Sequence, residues 1–129
     1  MVKILVVEDN DDILNLIKII LELNNYEVIM ASGGHEALNL LKNMQELPDL
    51  ILLDIMMPEI SGWDVLNIMK SNKKWKKIPV IILTALAQEK DIKIGMEKQV
   101  DGYITKPFEK KYLLEQVNEL ILKMQKDNK

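Results

Sequence analysis

Short apolar runs alternate with longer amphipathic segments along the chain, five times over. A short aliphatic run bounded by polar residues is typical of a strand that is covered on both faces of a sheet. On this basis we predict five strands, which are Lys3–Val7, Glu27–Ala31, Leu50–Asp54, Val80–Thr84 and Gly102–Thr105. The second run is the most mixed in polarity, which favours a position nearer an edge of the sheet.

The segments between the strands carry apolar residues at helical spacing. The predicted helices are residues 11–24, 36–44, 63–70, 89–98 and 109–125. In the first of them, the buried stripe is assigned to Ile13, Leu16, Ile17, Ile20 and Leu21. Five strands that each precede a helix predict an α/β fold, a doubly wound five-stranded parallel sheet with five helices on its two faces. No linker interrupts the pattern, so residues 1–129 are expected to form one domain.

Chemically complementary residues stand where the predicted strands end. Glu8 and Asp9 follow the first strand, Asp54 ends the third, Thr84 ends the fourth and Lys106 follows the fifth. Ligands bind outside the carboxyl ends of the strands in open parallel sheets, so these groups should share one crevice. Crowded carboxylates favour a hard divalent cation such as Mg²⁺. We therefore expect Asp54 to be a nucleophile toward a phosphoryl group, with Lys106 and Thr84 contacting the phosphoryl oxygens.

Four motifs in this chain resemble those of the response-regulator receiver domains of two-component signalling. They are ILVVED at residues 4–9, DIMMP at 54–58 with Gly62, LTA at 83–85 and YITKPF at 103–108. All four occur in order over essentially the whole chain. The resemblance implies a flavodoxin-like fold with strand order 2-1-3-4-5. It also implies a cis peptide bond between Lys106 and Pro107.

The same resemblance assigns the metal ligands. Asp54 matches the phosphoacceptor and a ligand of Mg²⁺ or Mn²⁺. Asp9 matches a direct ligand, Glu8 a ligand that acts through water, and the backbone carbonyl of Met56 the remaining one.

The resemblance also implies how a signal passes on. Thr84 and Lys106 match the pair that binds the phosphoryl group, and Tyr103 matches the aromatic switch residue. Movement of that ring would reshape the surface formed by the fourth and fifth predicted helices and the fifth strand. An unknown protein or a tethered output domain would bind there. The phosphodonor would be a histidine kinase or a phosphotransfer protein.

By this interpretation the chain is a switch rather than a classical enzyme, although it catalyses its own phosphorylation and dephosphorylation. Receivers with winged-helix DNA-binding outputs often dimerise through an acid and two arginines. This chain has Gly102, Gln116 and Asn118 at those positions. We therefore expect a monomer when the chain is not phosphorylated.

Composition and charge restrict the remaining possibilities. A net charge of −3 and a pI of about 5.2 disfavour direct binding to nucleic acid or to an anionic membrane. The lysine-rich residues 70–77 are accordingly interpreted as a solvated loop. No apolar run approaches the ~20 residues that span a bilayer. The first strand begins at Lys3, which leaves no room for a signal peptide, so we expect the cytoplasm.

Three other functions fit parts of the pattern. A phosphatase of the haloacid dehalogenase type would need an aspartate two residues after the nucleophile, where this chain has Met56. A flavin-binding electron carrier would need hydroxyls and amides, not acids, after the first strand. A degenerate receiver used only for binding would lack part of the residue set. The single histidine, His35, is interpreted as an ordinary helix residue outside the crevice.

Overall fold

The computed structural model describes residues 1–85, Lys93, Glu97 and residues 100–127. Its centre is one parallel sheet of five strands, which are β1 (Lys3–Val7), β2 (Glu27–Ala31), β3 (Leu50–Asp54), β4 (Val80–Thr84) and β5 (Gly102–Thr105). All five predicted strands are confirmed with the predicted bounds. The strand order is β2-β1-β3-β4-β5, which confirms the order that the resemblance implied and the edge position of β2.

The register of the sheet aligns the carboxyl ends of its central strands. Asp54 of β3 pairs with Leu83 of β4, and Thr84 pairs with Thr105 of β5. Every residue of β3 and β4 is buried, because helices cover the sheet on both faces. A polar side chain at the end of either strand is therefore held by a rigid, fully packed element.

Four helices lie within the described residues: α1 (Asp11–Leu23), α2 (Gly34–Asn43), α3 (Gly62–Lys70) and α4 (Lys110–Asp127). The last corresponds to the helix predicted at residues 109–125. The helix predicted at residues 89–98 lies outside the described residues, except for Lys93 and Glu97, which are both helical. Among the helices described here, none combines the length and hydropathy that a membrane span requires.

Two hydrophobic clusters sandwich the sheet. On one face α1 and α4 pack against the strands, through residues that include Leu14, Ile17, Leu21, Leu113 and Val117. On the other face α2 and α3 do so, through residues that include Ala37, Leu41, Val65, Leu66 and Met69. The described chain therefore has the doubly wound, two-sided architecture that the sequence predicted.

The buried stripe of α1 differs from the prediction at one position. Leu16 is 49% exposed, whereas Leu14 is only 6% exposed and belongs to the core. Leu14, Ile17 and Leu21 repeat at the spacing of one helix face. Leu16 lies on the outer side of the helix with Ile19, which is 56% exposed. Because both sides of α1 carry aliphatic residues, the apolar pattern alone did not separate them.

We expect Leu14→Ala to lower the free energy of unfolding by about 2–4 kcal/mol, because it removes buried methyl groups and leaves a cavity. Leu16→Ala should lower it by less than about 1 kcal/mol, because that side chain is half in solvent. Urea denaturation followed by circular dichroism measures both. Equal losses in the two variants would place Leu16 in the core and contradict this account.

Candidate functional site

The carboxyl edge of the sheet gathers the acidic residues that the sequence placed there. Glu8 and Asp9 follow β1, and Asp54 is the last residue of β3. One oxygen from each of these three carboxylates lies within 4.8 Å of the others, so together they could hold a metal ion. Glu8 and Asp54 are buried and Asp9 is exposed. The cluster thus opens to solvent on the side of Asp9.

Asp54 is held through both of its carboxylate oxygens. Its Oδ1 accepts a hydrogen bond from the backbone N–H of Met56 at 3.0 Å. Its Oδ2 accepts one from the Lys106 ammonium at 3.3 Å. The Asp54 side chain is only 2% exposed, so these contacts replace most of its hydration. The carboxylate therefore has a fixed orientation at the end of the central strand.

Glu8 is fully buried, and its Oε1 contacts the ammonium of Lys106. Its Oε2 accepts a long hydrogen bond, of 3.4 Å, from the backbone N–H of Asn10. Burial raises the pKa of the Glu8 carboxyl, and its hydrogen bond with Asp54 raises it further, while Lys106 opposes both effects only in part. Two buried carboxyl groups share one cation at this point.

Lys106 is the cation that joins the buried acids. Burial lowers the pKa of its ammonium, but the hydrogen bond with Glu8 and the charges of Asp54 and Glu8 outweigh burial, so the pKa is raised. Lys106 is therefore charged at neutral pH. Glu8 and Asp54 both contact this one ammonium, and Asp9 adds a third carboxylate beside them, so a divalent cation would offset the excess negative charge.

The other predicted site residues lie around this cluster. Thr84 is buried at the end of β4, and its backbone carbonyl accepts the N–H of Lys106 at 2.7 Å. This bond ties the end of β4 to the turn that carries Lys106. The peptide bond between Lys106 and Pro107 is cis, as expected. Met56 is 55% exposed beside Asp54, and Tyr103 is half-buried against the core face that α2 and α3 cover.

His35 lies in the first turn of α2, at the same edge of the sheet but outside the carboxylate cluster. Its Nε2 is 3.8 Å from Oε2 of Glu59, which lies in the loop between β3 and α3. Both side chains are largely exposed, so the pair contributes little to stability. Among the described residues, His35 forms its ion pair with Glu59 and none with Asp54.

The loop between β3 and α3 depends on Gly62, whose structural role the sequence analysis missed. A Cβ added at Gly62 would lie 2.6 Å from Cα of Ile55, and still closer to the carbonyl oxygen of Asp54. The N–H of Gly62 donates to the carbonyl of Ile55 at 3.2 Å. Only a glycine permits this close approach behind the proposed nucleophile.

A capping box fixes the far end of the same loop. The Ser61 hydroxyl accepts the N–H of Asp64 at 3.2 Å, and the Asp64 carboxylate accepts the N–H of Ser61 at 3.2 Å. The pattern Ser-x-x-Asp is readable in the sequence as a helix start. The contact of Gly62 is not readable in this way, because it depends on how the loop folds back onto β3.

Residues 4–118 match the family model described as the response regulator receiver domain. The chain belongs to this family. The response regulator SaeR of Staphylococcus aureus is 37% identical over 126 residues, which are 98% of this chain and 53% of that protein. This receiver domain therefore spans about half the length of the curated relatives that it matches.

Solved receiver domains share the fold. A CheY-like receiver domain protein from Methanospirillum hungatei superposes with a TM-score of 0.88 at 31% identity, covering 98% of each chain. The non-phosphorylated HemR receiver domain from Leptospira biflexa superposes with a TM-score of 0.85 at 30% identity, covering 94% of each chain. The resemblance inferred from the four motifs is thus confirmed.

Membership of the receiver family decides between most of the functions considered from the sequence. Receiver domains are signalling switches and not classical enzymes. The haloacid dehalogenase and flavin-carrier interpretations are therefore set aside. A degenerate receiver domain would still belong to the family, so the roles of the individual site residues stay predictions.

We expect Gly62→Ser to lower the free energy of unfolding by about 1–3 kcal/mol, because the new side chain would collide with the backbone of β3. Gly33→Ser is the matched control. A Cβ at Gly33 would have no atom within 4 Å, its φ of −173° is extended, and serine is a favourable N-cap. Its change should stay within about 0.5 kcal/mol. Urea denaturation measures both, and equal effects would refute the packing role of Gly62.

Proposed function

We propose that this chain is a phosphoryl-accepting switch of a two-component system, in which Asp54 takes the phosphoryl group with the help of Mg²⁺ or Mn²⁺. The observation that supports this most strongly is the setting of Asp54. It is a buried carboxylate at the end of the central strand, hydrogen-bonded to Lys106 and clustered with Glu8 and Asp9. A buried residue that served only as a cap would not need this cluster.

The cation would be held by Asp9, Asp54 and the backbone carbonyl of Met56, with Glu8 acting through water. The carboxylates are oxygen donors, which suit a hard cation such as Mg²⁺. Their excess of negative charge over the single ammonium of Lys106 is the structural reason that a cation fits. When bound, the cation supplies positive charge that offsets the charge of the entering phosphoryl group.

In the proposed transfer, a carboxylate oxygen of Asp54 forms a bond to phosphorus, and the phosphorus–nitrogen bond of a donor phosphohistidine breaks. The leaving imidazole keeps the electron pair of that bond and takes up a proton. Lys106 neutralises one phosphoryl oxygen, and the hydroxyl of Thr84 donates a hydrogen bond to another. Dephosphorylation returns the switch to its resting state. In that step water attacks phosphorus, Asp54 leaves as a carboxylate, and inorganic phosphate is released.

Residues 1–129 together form the receiver unit in this proposal. Before phosphorylation the chain is a monomer. The donor is a histidine kinase or a phosphotransfer protein, and the compartment is the cytoplasm. Tyr103 couples the site to a surface that includes β5 and α4, where a partner protein or a tethered output domain binds. Direct binding of this chain to nucleic acid forms no part of the proposal.

We expect Asp54→Asn to abolish phosphorylation by acetyl phosphate in the presence of Mg²⁺, because the amide is not a nucleophile at phosphorus. Asp12→Asn is the matched control, since Asp12 is an exposed acid in the first turn of α1 and lies outside the cluster. Intact-mass spectrometry should show one added phosphoryl group on the wild type and on the control only. Full uptake by Asp54→Asn would overturn the assignment.

Asp9→Ala should raise the dissociation constant for Mg²⁺ at least about tenfold, because it removes a direct anionic ligand. His35→Ala should change the constant by less than about twofold, because His35 lies outside the cluster and forms only an exposed pair with Glu59. Isothermal titration calorimetry compares the two variants. The same constant in both would contradict the proposed metal site.

Tyr103→Ala should leave phosphorylation of Asp54 intact but suppress the response of the output surface. The ring of Tyr103 packs half-buried against the core face of α2 and α3, so its movement would change what β5 presents to a partner. Amide spectra of both proteins, with and without beryllium fluoride and Mg²⁺, test this. Identical shifts in α4 and in the segment between β4 and β5 would exclude Tyr103 as the switch.

A further inference from the structure

A lysine-rich groove lies at the amino edge of the sheet, on the far side of the domain from Asp54. Its walls are the C-terminal end of α2 and the loop between α3 and β4. The cavity has a volume of about 800 Å³. Residues 70–77, which are the last residue of α3 and the start of the loop that follows it, contain five lysines and no acid. Because α2 and α3 run back from the carboxyl edge, the last turn of α2 and the loop that follows α3 meet at this groove.

The groove combines an apolar floor with a cationic rim. Met44 and Leu47 line it half-exposed, above the buried ring of Trp75. Lys73 and Lys74 line it from the loop with exposed side chains. A segment that lay in the groove would therefore meet aliphatic surface below and ammonium groups beside it.

The positive charge of the rim is not neutralised by neighbouring acids. In the part of the chain that the structure describes, neither Lys73 nor Lys74 forms an ion pair. Glu46, which belongs to the loop between α2 and β3, lies 4.0 Å from the ammonium of Lys3 instead. The chain carries −3 in total, so the residues outside 70–77 carry −8. The groove is a local positive field on an otherwise acidic protein.

We propose that this groove docks a segment of a partner protein that carries both apolar and acidic side chains. Charge complementarity favours such a segment over other polyanions. A short peptide lies within the local field, since charges further away than about 8 Å are screened at physiological ionic strength. A nucleic acid or an anionic membrane extends over the acidic remainder of the chain, which repels it. Trp75 is only 6% exposed, so its ring offers no platform for base stacking.

Docking at this groove leaves the carboxylate cluster uncovered, because the two lie at opposite edges of the sheet. The groove therefore provides a contact separate from the phosphoryl site and from the surface that includes β5. It does not depend on the proposed chemistry of Asp54.

The test uses the whole chain and a short fluorescein-labelled peptide of leucine and glutamate residues, followed by fluorescence anisotropy. Replacing Lys73 and Lys74 together by glutamate should raise the dissociation constant about tenfold. The matched control replaces Lys123 and Lys126, two exposed lysines of α4, by glutamate, and should change it less than about twofold. Met44→Gln should also weaken binding, because it makes the floor polar.

Four further measurements identify the chemistry of the occupant. A peptide with glutamine in place of glutamate should bind more weakly, and added salt should weaken binding of the acidic peptide. A single-stranded oligonucleotide and phosphatidylglycerol vesicles should bind less tightly than that peptide. Tighter binding of either one, equal loss in the control variant, or no binding of the acidic peptide would overturn the proposal. Circular dichroism of the variants confirms that they fold.

Discussion

The site depends on one interaction, the contact of the Lys106 ammonium with two buried carboxylates, Glu8 and Asp54. Removing a carboxylate from water costs several kcal/mol unless a charge or hydrogen bonds compensate it. One ammonium compensates two acids incompletely, and Asp9 adds a third negative charge beside them. The folded chain thus has excess negative charge at the place where, in the proposed function, a phosphoryl group would enter.

The sheet makes this arrangement possible because it sets the positions of the charged groups before any ligand binds. Asp54 belongs to a strand whose five residues are all buried. The loop that follows is fixed by the close approach of Gly62 at its end and by the capping box of Ser61 and Asp64. Little reorganisation is then required of Asp54 itself, which is the condition for electrostatic preorganisation.

Much of this fold could be predicted from the sequence, because strands buried on both faces appear as aliphatic runs and parallel strands share one carboxyl edge. The clustering of Glu8, Asp9 and Asp54 followed from that topology. The burial of Leu14 in place of Leu16 did not follow, because both sides of α1 carry aliphatic residues. The contact of Gly62 depends on how the loop after β3 folds back onto that strand, and the shape of the lysine-rich groove depends on packing between segments distant in sequence. No local pattern encodes either.

The carboxylate cluster and the lysine-rich groove lie at opposite edges of the sheet, and the helices explain part of this placement of charge. Helix N-termini face the carboxyl edge, where acids in the first turns of α1, α2 and α3 complement the helix dipoles. Helix C-termini face the amino edge, where Lys42 and Lys70 stand in the last turns of α2 and α3. Lys73 and Lys74 lie beyond α3, outside the last turn in which a dipole acts. Helix stability therefore does not account for them, and the acidic partner segment proposed for the groove would give their charge a role.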